Sequence, residues 1–302
     1  MRTRTAFMTL ALAAALAAAA PNPSTAQEPL KVGFGGALLG SLASYGLSNL
    51  YGIEFAIHKA NDAGGVLGRR VELVQEDDSC DPALASSAAT KIASQGIRLV
   101  LGHTCSGATH TALSVYGGNA IVISSSATDI NLTDSGDNPY FFRTTPRDDA
   151  QSTLQVQLIR ARGFKKIALL HDKGDYGKSL AELADAAIRD DPSIGAETVL
   201  LEGVTTGQVS FDAIVAKIKD SGADAVVWGG YYNDAAKLAL NMRERGVAAV
   251  IIGADGLYDD RFLSIGGEAV EGSFATGQSD ISQSDEAKEA LAYHRQNHTE
   301  ET

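Results

Sequence analysis

Leu-Val-Leu-Gly-His-Thr-Cys-Ser-Gly-Ala-Thr, residues 99–109, compresses an apolar run, a glycine and a set of hydroxyls into one short span. Leu99, Val100 and Leu101 fit the end of a buried parallel strand, and a helical pattern opens at Ser106 and runs toward Tyr116. Gly102 permits the sharp turn between them. A strand that stops at a glycine and feeds a helix starting with Thr104 and Ser106 aims free backbone N–H groups and hydroxyls at one spot, which favours an anion. A carboxylate suits that spot as well as a phosphate.

Working outward, the same rhythm repeats on both sides. Leu30 to Phe34 is predicted as a strand, followed by a glycine-rich turn and a helix from about Ser44 that ends at Gly64-Gly65. Arg70 to Gln75 is a second strand, and Asp81-Pro82 caps a helix reaching Gln95-Gly96. Asn119 to Ser124 and Tyr140 to Phe142 follow as strands. After Arg143-Thr144-Thr145-Pro146 a fresh series begins, with strands at 166–171, 198–201, 225–228, 250–252 and 273–275 and helices at 176–188, 211–221 and 233–245. A last polar helix is expected over 285–294. Short apolar strands alternating with amphipathic helices predict an α/β fold with parallel sheets covered on both faces.

The ends and the composition set bounds. Arg2 and Arg4, the apolar run Ala6 to Ala20, and Ser24-Thr25-Ala26 together read as a secretory signal peptide cleaved near Ala26. The run is shorter than the roughly 20 residues of a membrane span, and Pro21 and Pro23 end it. No cysteine follows it, so a soluble periplasmic protein is expected rather than a lipid-anchored one. The leader carries two of the 25 basic residues and none of the 37 acidic ones, so the mature chain is more acidic than the formal −12 of the whole sequence. That argues against nucleic acid and anionic membrane surfaces as partners. The expected organisation is a signal peptide over 1–26, an N-terminal lobe over 27–143, a C-terminal lobe over 147–275, and a return toward the first lobe over 276–302.

Cys80 and Cys105 follow two successive strand patterns in an oxidising compartment and read as one disulfide, worth roughly 3 kcal/mol in the chain-entropy model. A reactive thiol or a metal pair would want Cys-x-x-Cys spacing or a histidine cluster, and neither is present. The six histidines form no metal pattern, and neither a metal nor a cofactor is expected. Gly33-x-Gly35 follows the first strand, but Leu38 stands where a dinucleotide site needs its third glycine. Thr104 stands where a nucleophile elbow needs glycine before Ser106. His171-Asp172 reads as a polar turn. No catalytic set emerges.

A binding set does. Tyr45, Ser106, Ala127 and Thr128 fall at strand ends in the first half, and Tyr176, Tyr231 and Asp255 in the second. Hydroxyls and helix N–H groups suit a carboxylate, one acid suits an ammonium, and tyrosines form apolar walls with polar tips, a combination that describes an α-amino acid. Each residue alone also fits a plainer role: Ser106 and Thr128 as cap or turn residues, the tyrosines as core or interface, Asp255 beside Gly256 as a turn. Their joint placement at strand ends favours the site.

These residues also carry a resemblance. Asp77-Asp78-Ser79-Cys80-Asp81-Pro82, Gly102-His103-Thr104-Cys105-Ser106, His171-Asp172-Lys173-Gly174-Asp175-Tyr176-Gly177 and Gly229-Gly230-Tyr231, in that order, resemble the periplasmic leucine/isoleucine/valine-binding proteins of branched-chain amino acid ABC transporters. The resemblance runs from Lys31 to about His294. It implies a type I periplasmic binding fold, two doubly wound parallel-sheet lobes joined by a hinge that close on ligand, with a membrane permease as partner and a monomeric state. It also implies roles: Ser106 and Thr128 on the ligand carboxylate, Cys105 and Ala127 lending main-chain contacts, Tyr231 and Asp255 on the ammonium, Tyr45 and Tyr176 flanking the side chain, and Cys80 paired with Cys105. The best-known leucine-binding members carry Glu at the position of Asp255, one methylene longer. The family also continues past the position of Thr302, so truncation at the C-terminus is expected. The alternatives are the same fold taking an amide or a small or aromatic amino acid, and a secreted hydrolase or dehydrogenase on a similar sheet.

Overall fold

The computed structural model describes residues 27–298, so the signal-peptide reading over 1–26 and the charged tail 299–302 lie outside the described residues. Strands β1 (Leu30–Gly36), β2 (Val71–Asp77), β3 (Leu99–Gly102), β4 (Ile121–Ser124) and β5 (Phe141–Arg143) form one all-parallel sheet in the order β2-β1-β3-β4-β5. Strands β6 (Lys166–His171), β7 (Glu197–Gly203), β8 (Ala225–Gly229), β9 (Val250–Gly253) and β10 (Phe274–Ala275) form a second, in the order β10-β9-β8-β6-β7. Both sheets wind alike. The chain enters on the strand next to one edge, steps outward once, then crosses back and continues the other way.

Parallel neighbours require crossover connections, and helices supply them. In the first half these are α1 (Ala43–Asp62), α2 (Pro82–Ser94), α3 (Ser106–Tyr116) and the single turn α4 (Asn131–Asp134). In the second they are α5 (Asp148–Arg162), α6 (Asp175–Asp190), α7 (Asp212–Ser221), α8 (Tyr232–Glu244) and the short α9 (Asp260–Gly266), with α10 (Asp285–Asn297) at the end. Strands covered on both faces become apolar throughout: every residue of β8 is buried, as are Ile167 to Leu170 of β6. Two cores fill the second half, around Trp228, Phe211 and Met242 on one face and Leu169, Ile159 and Ile188 on the other. Ile92, Val100, Val122 and Leu132 centre the core of the first.

Element by element the expected strands are present, with ends moved by up to two residues. Helix α5 is the main addition, because no helix was expected between Pro146 and Lys166. Its covered face explains the omission: Asp148, Gln151, Ser152 and Gln155 are buried ahead of Val156 and Ile159, so an apolar period is missing from its first half.

Two segments pass between the sheets, 144–147 after β5 and 276–284 after β10. They meet where the Gln278 amide donates to the Thr145 hydroxyl at 2.8 Å. Among the described residues no helix is long and apolar enough to cross a membrane.

Candidate functional site

In an open doubly wound sheet the crevice lies beyond the carboxyl ends of the strands, where the winding reverses. Here the reversals fall between β1 and β3 and between β6 and β8. Of the residues singled out from the sequence, Tyr45 follows β1, Cys105 and Ser106 follow β3, Tyr176 follows β6 and Tyr231 follows β8. Ala127 and Thr128 follow β4, and Asp255 follows β9 in a single 3-10 turn, Asp255–Leu257.

The starts of α2 and α3 are built differently. At α2 the Asp81 carboxylate caps the helix, accepting from Ala83 and Leu84. At α3 the cap position is Cys105, whose sulfur is committed to Cys80, and no side-chain cap forms. The first-turn N–H groups of Ser106, Gly107 and Ala108 therefore face the crevice with the positive end of the helix dipole. Ser106 is buried, and its hydroxyl accepts from the Asp129 backbone N–H at 3.2 Å, which leaves its own proton for a further acceptor.

The turn that aims α3 is held from behind. Asp78 and His103 are both fully buried, and His103 Nδ1 lies 2.6 Å from Asp78 Oδ2. Its other ring nitrogen, Nε2, lies 3.1 Å from the Tyr116 hydroxyl. The His103 carbonyl accepts from the Ser124 hydroxyl at 2.7 Å, and Asp78 Oδ1 accepts from the Cys80 N–H at 2.9 Å. Burial, with the nearby Asp78 charge, pushes the Tyr116 phenol above its ordinary value. Ser79 and Cys80 sit at φ of 47° and 59°, a conformation that L-residues rarely adopt. The disulfide joins this loop to the start of α3, with Cα atoms 5.4 Å apart.

On the opposite side, the Tyr176 hydroxyl donates to Asp255 Oδ1 at 2.6 Å and accepts from the Gly256 N–H at 2.9 Å. Gln151 grips the same residue twice, its amide donating to Asp255 Oδ1 at 3.0 Å and its carbonyl accepting from the Asp255 N–H at 2.9 Å. Burial drives the Asp255 carboxyl above its ordinary value against these hydrogen bonds. Tyr176 and Tyr231 lie with ring centres 5.2 Å apart, and Tyr45 reaches over from α1 to within 6.0 Å of Tyr231. Gly177 and Gly229 make this approach possible, because a Cβ on either would collide with the carbonyl oxygen of the other. The indole N–H of Trp228, beneath the crevice, donates to the Tyr231 carbonyl at 3.2 Å.

The two halves touch across the crevice. The Tyr45 hydroxyl donates to the Gly256 carbonyl at 2.8 Å, the Ser44 hydroxyl donates to Asp259 at 2.6 Å, and the Tyr232 hydroxyl donates to the Ser41 carbonyl. Ala127 uses its N–H on the Ser124 hydroxyl, and its carbonyl accepts from Arg143. Thr128 is buried against Asp148.

Asp148, Gln151 and Asp129 were not among the residues chosen from the sequence, and all three are buried at the crevice. Burial drives the Asp148 carboxyl up to about 8, and the Asp255 and Asp129 charges add to the rise against hydrogen bonds from Thr128 and Gln151. Burial also pushes Asp129 up, but hydrogen bonds from His110 and Asn131 outweigh it and hold that carboxyl below its usual range. The pair Asp148-Asp149 after Pro146-Arg147 was the available signal. His171 and Asp172 each accept a backbone N–H two residues on, as the polar turn expected of them does. Among the described residues no cluster of His, Cys, Asp and Glu converges to hold a metal ion.

Two matching doubly wound sheets facing one another across buried polar residues define the class, a two-lobed binding protein of the type I periplasmic fold. The family model for the periplasmic binding protein matches residues 29–296, and the chain belongs to that family. It is similar to the Leu/Ile/Val-binding protein homolog 1 of Brucella suis, 38% identical over 276 residues, covering 90% of this chain and 72% of that one. It is also similar to the leucine-, isoleucine-, valine-, threonine- and alanine-binding protein of Pseudomonas aeruginosa, 33% identical over 84% of this chain and 67% of the relative. Among solved structures, the branched-chain amino acid transporter substrate binding protein LivJ from Streptococcus pneumoniae, in complex with isoleucine, superposes with a TM-score of 0.76. That match is 31% identical and covers 90% of this chain and 78% of the other.

Proposed function

We propose that this chain is the substrate-binding component of an ABC importer for branched-chain or other aliphatic amino acids, taking its ligand in the crevice between the two sheets. The observation that carries the reading is the pairing of an uncapped helix start with a buried hydroxyl on one side and a tyrosine-held carboxyl on the other. The N–H groups of α3 with Ser106 and Thr128 suit a carboxylate, and Asp255 suits an ammonium. Cys105 and Ala127, after β3 and β4, flank Ser106 and Thr128 in the chain. Tyr45, Tyr176 and Tyr231 wall the space between with apolar rings. The names of the relatives supply the side-chain class.

In this reading the chain acts as a monomer in the periplasm, delivers ligand to a membrane permease, and carries out no chemistry on it. Its lobes span 27–143 and 147–275, with 144–147 and the segment after Ala275 as hinge. Thermal unfolding of the chain from Gln27 against the twenty amino acids tests it. A selective rise with leucine, isoleucine or valine that grows with concentration is expected, as mass action requires. A cooperative transition that none of the twenty moves would overturn the reading, and a rise confined to amides or aromatic acids would replace the ligand.

A further inference from the structure

Asp148 is the most enclosed acid at the crevice. It opens α5, is fully buried, and its Oδ2 has no well-formed hydrogen bond. Besides the bond from Thr128, its Oδ1 receives a 3.3 Å contact from the Gln151 amide, and the same amide donates to Asp255 Oδ1 at 3.0 Å. One amide thus bridges two carboxyls, and the charges of both act on the Tyr176 hydroxyl. Two like charges in so small a buried volume oppose each other, so one of them holds a proton unless a cation stands between them.

Arg143 is attracted to Asp148 through its charge, but its hydrogen bonds go elsewhere. Its guanidinium donates to the Ala127 and Asp129 carbonyls and to the Thr133 hydroxyl. Asp129 contributes a further negative charge and is itself bonded to His110 on its far side at 2.7 Å. Tyr176 and Tyr231 are neutral, their phenols driven up by burial. The crevice therefore has a surplus of acid around Asp148.

We propose that Asp148 is a second acid for the ligand's ammonium beside Asp255, and that Asp148 gives up its proton as the ligand binds. This rests on the amino-acid reading of the site. The step balances simply: the Asp148 O–H bond breaks, its proton passes to buffer, and the carboxylate left behind pairs with the ammonium, which keeps all its protons. Burial and the like charges that raise Asp148 to about 8 without a cation mean that at neutral pH the proton is there to be released. Binding is thereby coupled to pH, and affinity rises as the medium becomes less acid.

Calorimetric titration of the chain with isoleucine in phosphate and in Tris, whose ionisation enthalpies differ, counts the protons directly. About one proton released per ligand at pH 7, falling to about half at pH 8, is expected, with affinity rising about tenfold per pH unit between pH 6 and 7. Asp148→Asn should abolish the release, flatten the pH dependence and weaken binding about tenfold at pH 8. Binding without proton release in the wild type, or release that persists in D148N, overturns the inference and leaves the function standing. No heat with leucine, isoleucine or valine overturns both. Should D148N not fold, difference infrared spectra of the wild type decide: a protonated-carboxyl band that disappears on adding isoleucine supports the inference, and an unchanged band refutes it.

Discussion

Ser106 follows β3 in the first sheet and Asp255 follows β9 in the second, so the two can be tested separately. Ser106→Ala loses one hydroxyl at the start of α3, and Asp255→Asn loses one charge while keeping the shape. Each should weaken amino-acid binding by about 1.5–3 kcal/mol, the range for charge-assisted hydrogen bonds, measured by calorimetry. Unchanged affinity in both variants would show that the ligand sits elsewhere. Asp148 makes a separate prediction about the ligand-free chain. Its carboxyl titrates at about 8 when folded against 3.8 ordinarily, so between those values the folded state holds a proton that the unfolded state has lost. Stability from this group is fully present below the ordinary value and declines as pH rises toward 8. Asp172, raised to about 6 mainly by burial, acts in the same direction over the lower part of that window. Urea unfolding at stepped pH should show a shallower decline in D148N than in wild type, and equal slopes would contradict it.

Helix α3 carries a covalent tie at its cap position, where α2 uses the Asp81 side chain. The bridge from Cys80 to Cys105 closes a span of 25 residues, and replacing both cysteines by serine should cost roughly 3 kcal/mol of stability. Thermal unfolding with and without reductant checks this, and a melting point indifferent to reductant would remove the bridge from the account. The same element was legible in the sequence, because Leu99 to Leu101, Gly102 and the hydroxyls that follow each follow a local rule. Helix α5 was not. Local patterning finds a helix by the apolar stripe it buries, and α5 buries Asp148, Gln151, Ser152 and Gln155 instead. Those polar groups face the crevice, so the feature that hid the helix is also what brings Asp148 and Gln151 to the site.

At the scale of the molecule, parallel sheets were readable from the alternation of strands and helices, and their double winding from the resemblance. The ties across the crevice were not, since Ser44 with Asp259 and Tyr45 with Gly256 join residues more than two hundred positions apart. Nor did any local pattern single out Gln151, which bonds Asp255 in the crevice and Thr276 at the second crossing between the sheets. That glutamine places Thr276, on the segment between the sheets, and Asp255, in the crevice, in one hydrogen-bonded unit, so movement of either is felt by the other. Trp228 turns such movement into light. It is the sequence's single tryptophan, it is shielded from water, and its indole N–H is bonded to the carbonyl of Tyr231. The protein thus carries its own fluorophore beneath the crevice, and its emission reports any displacement of Tyr231 without a label being attached.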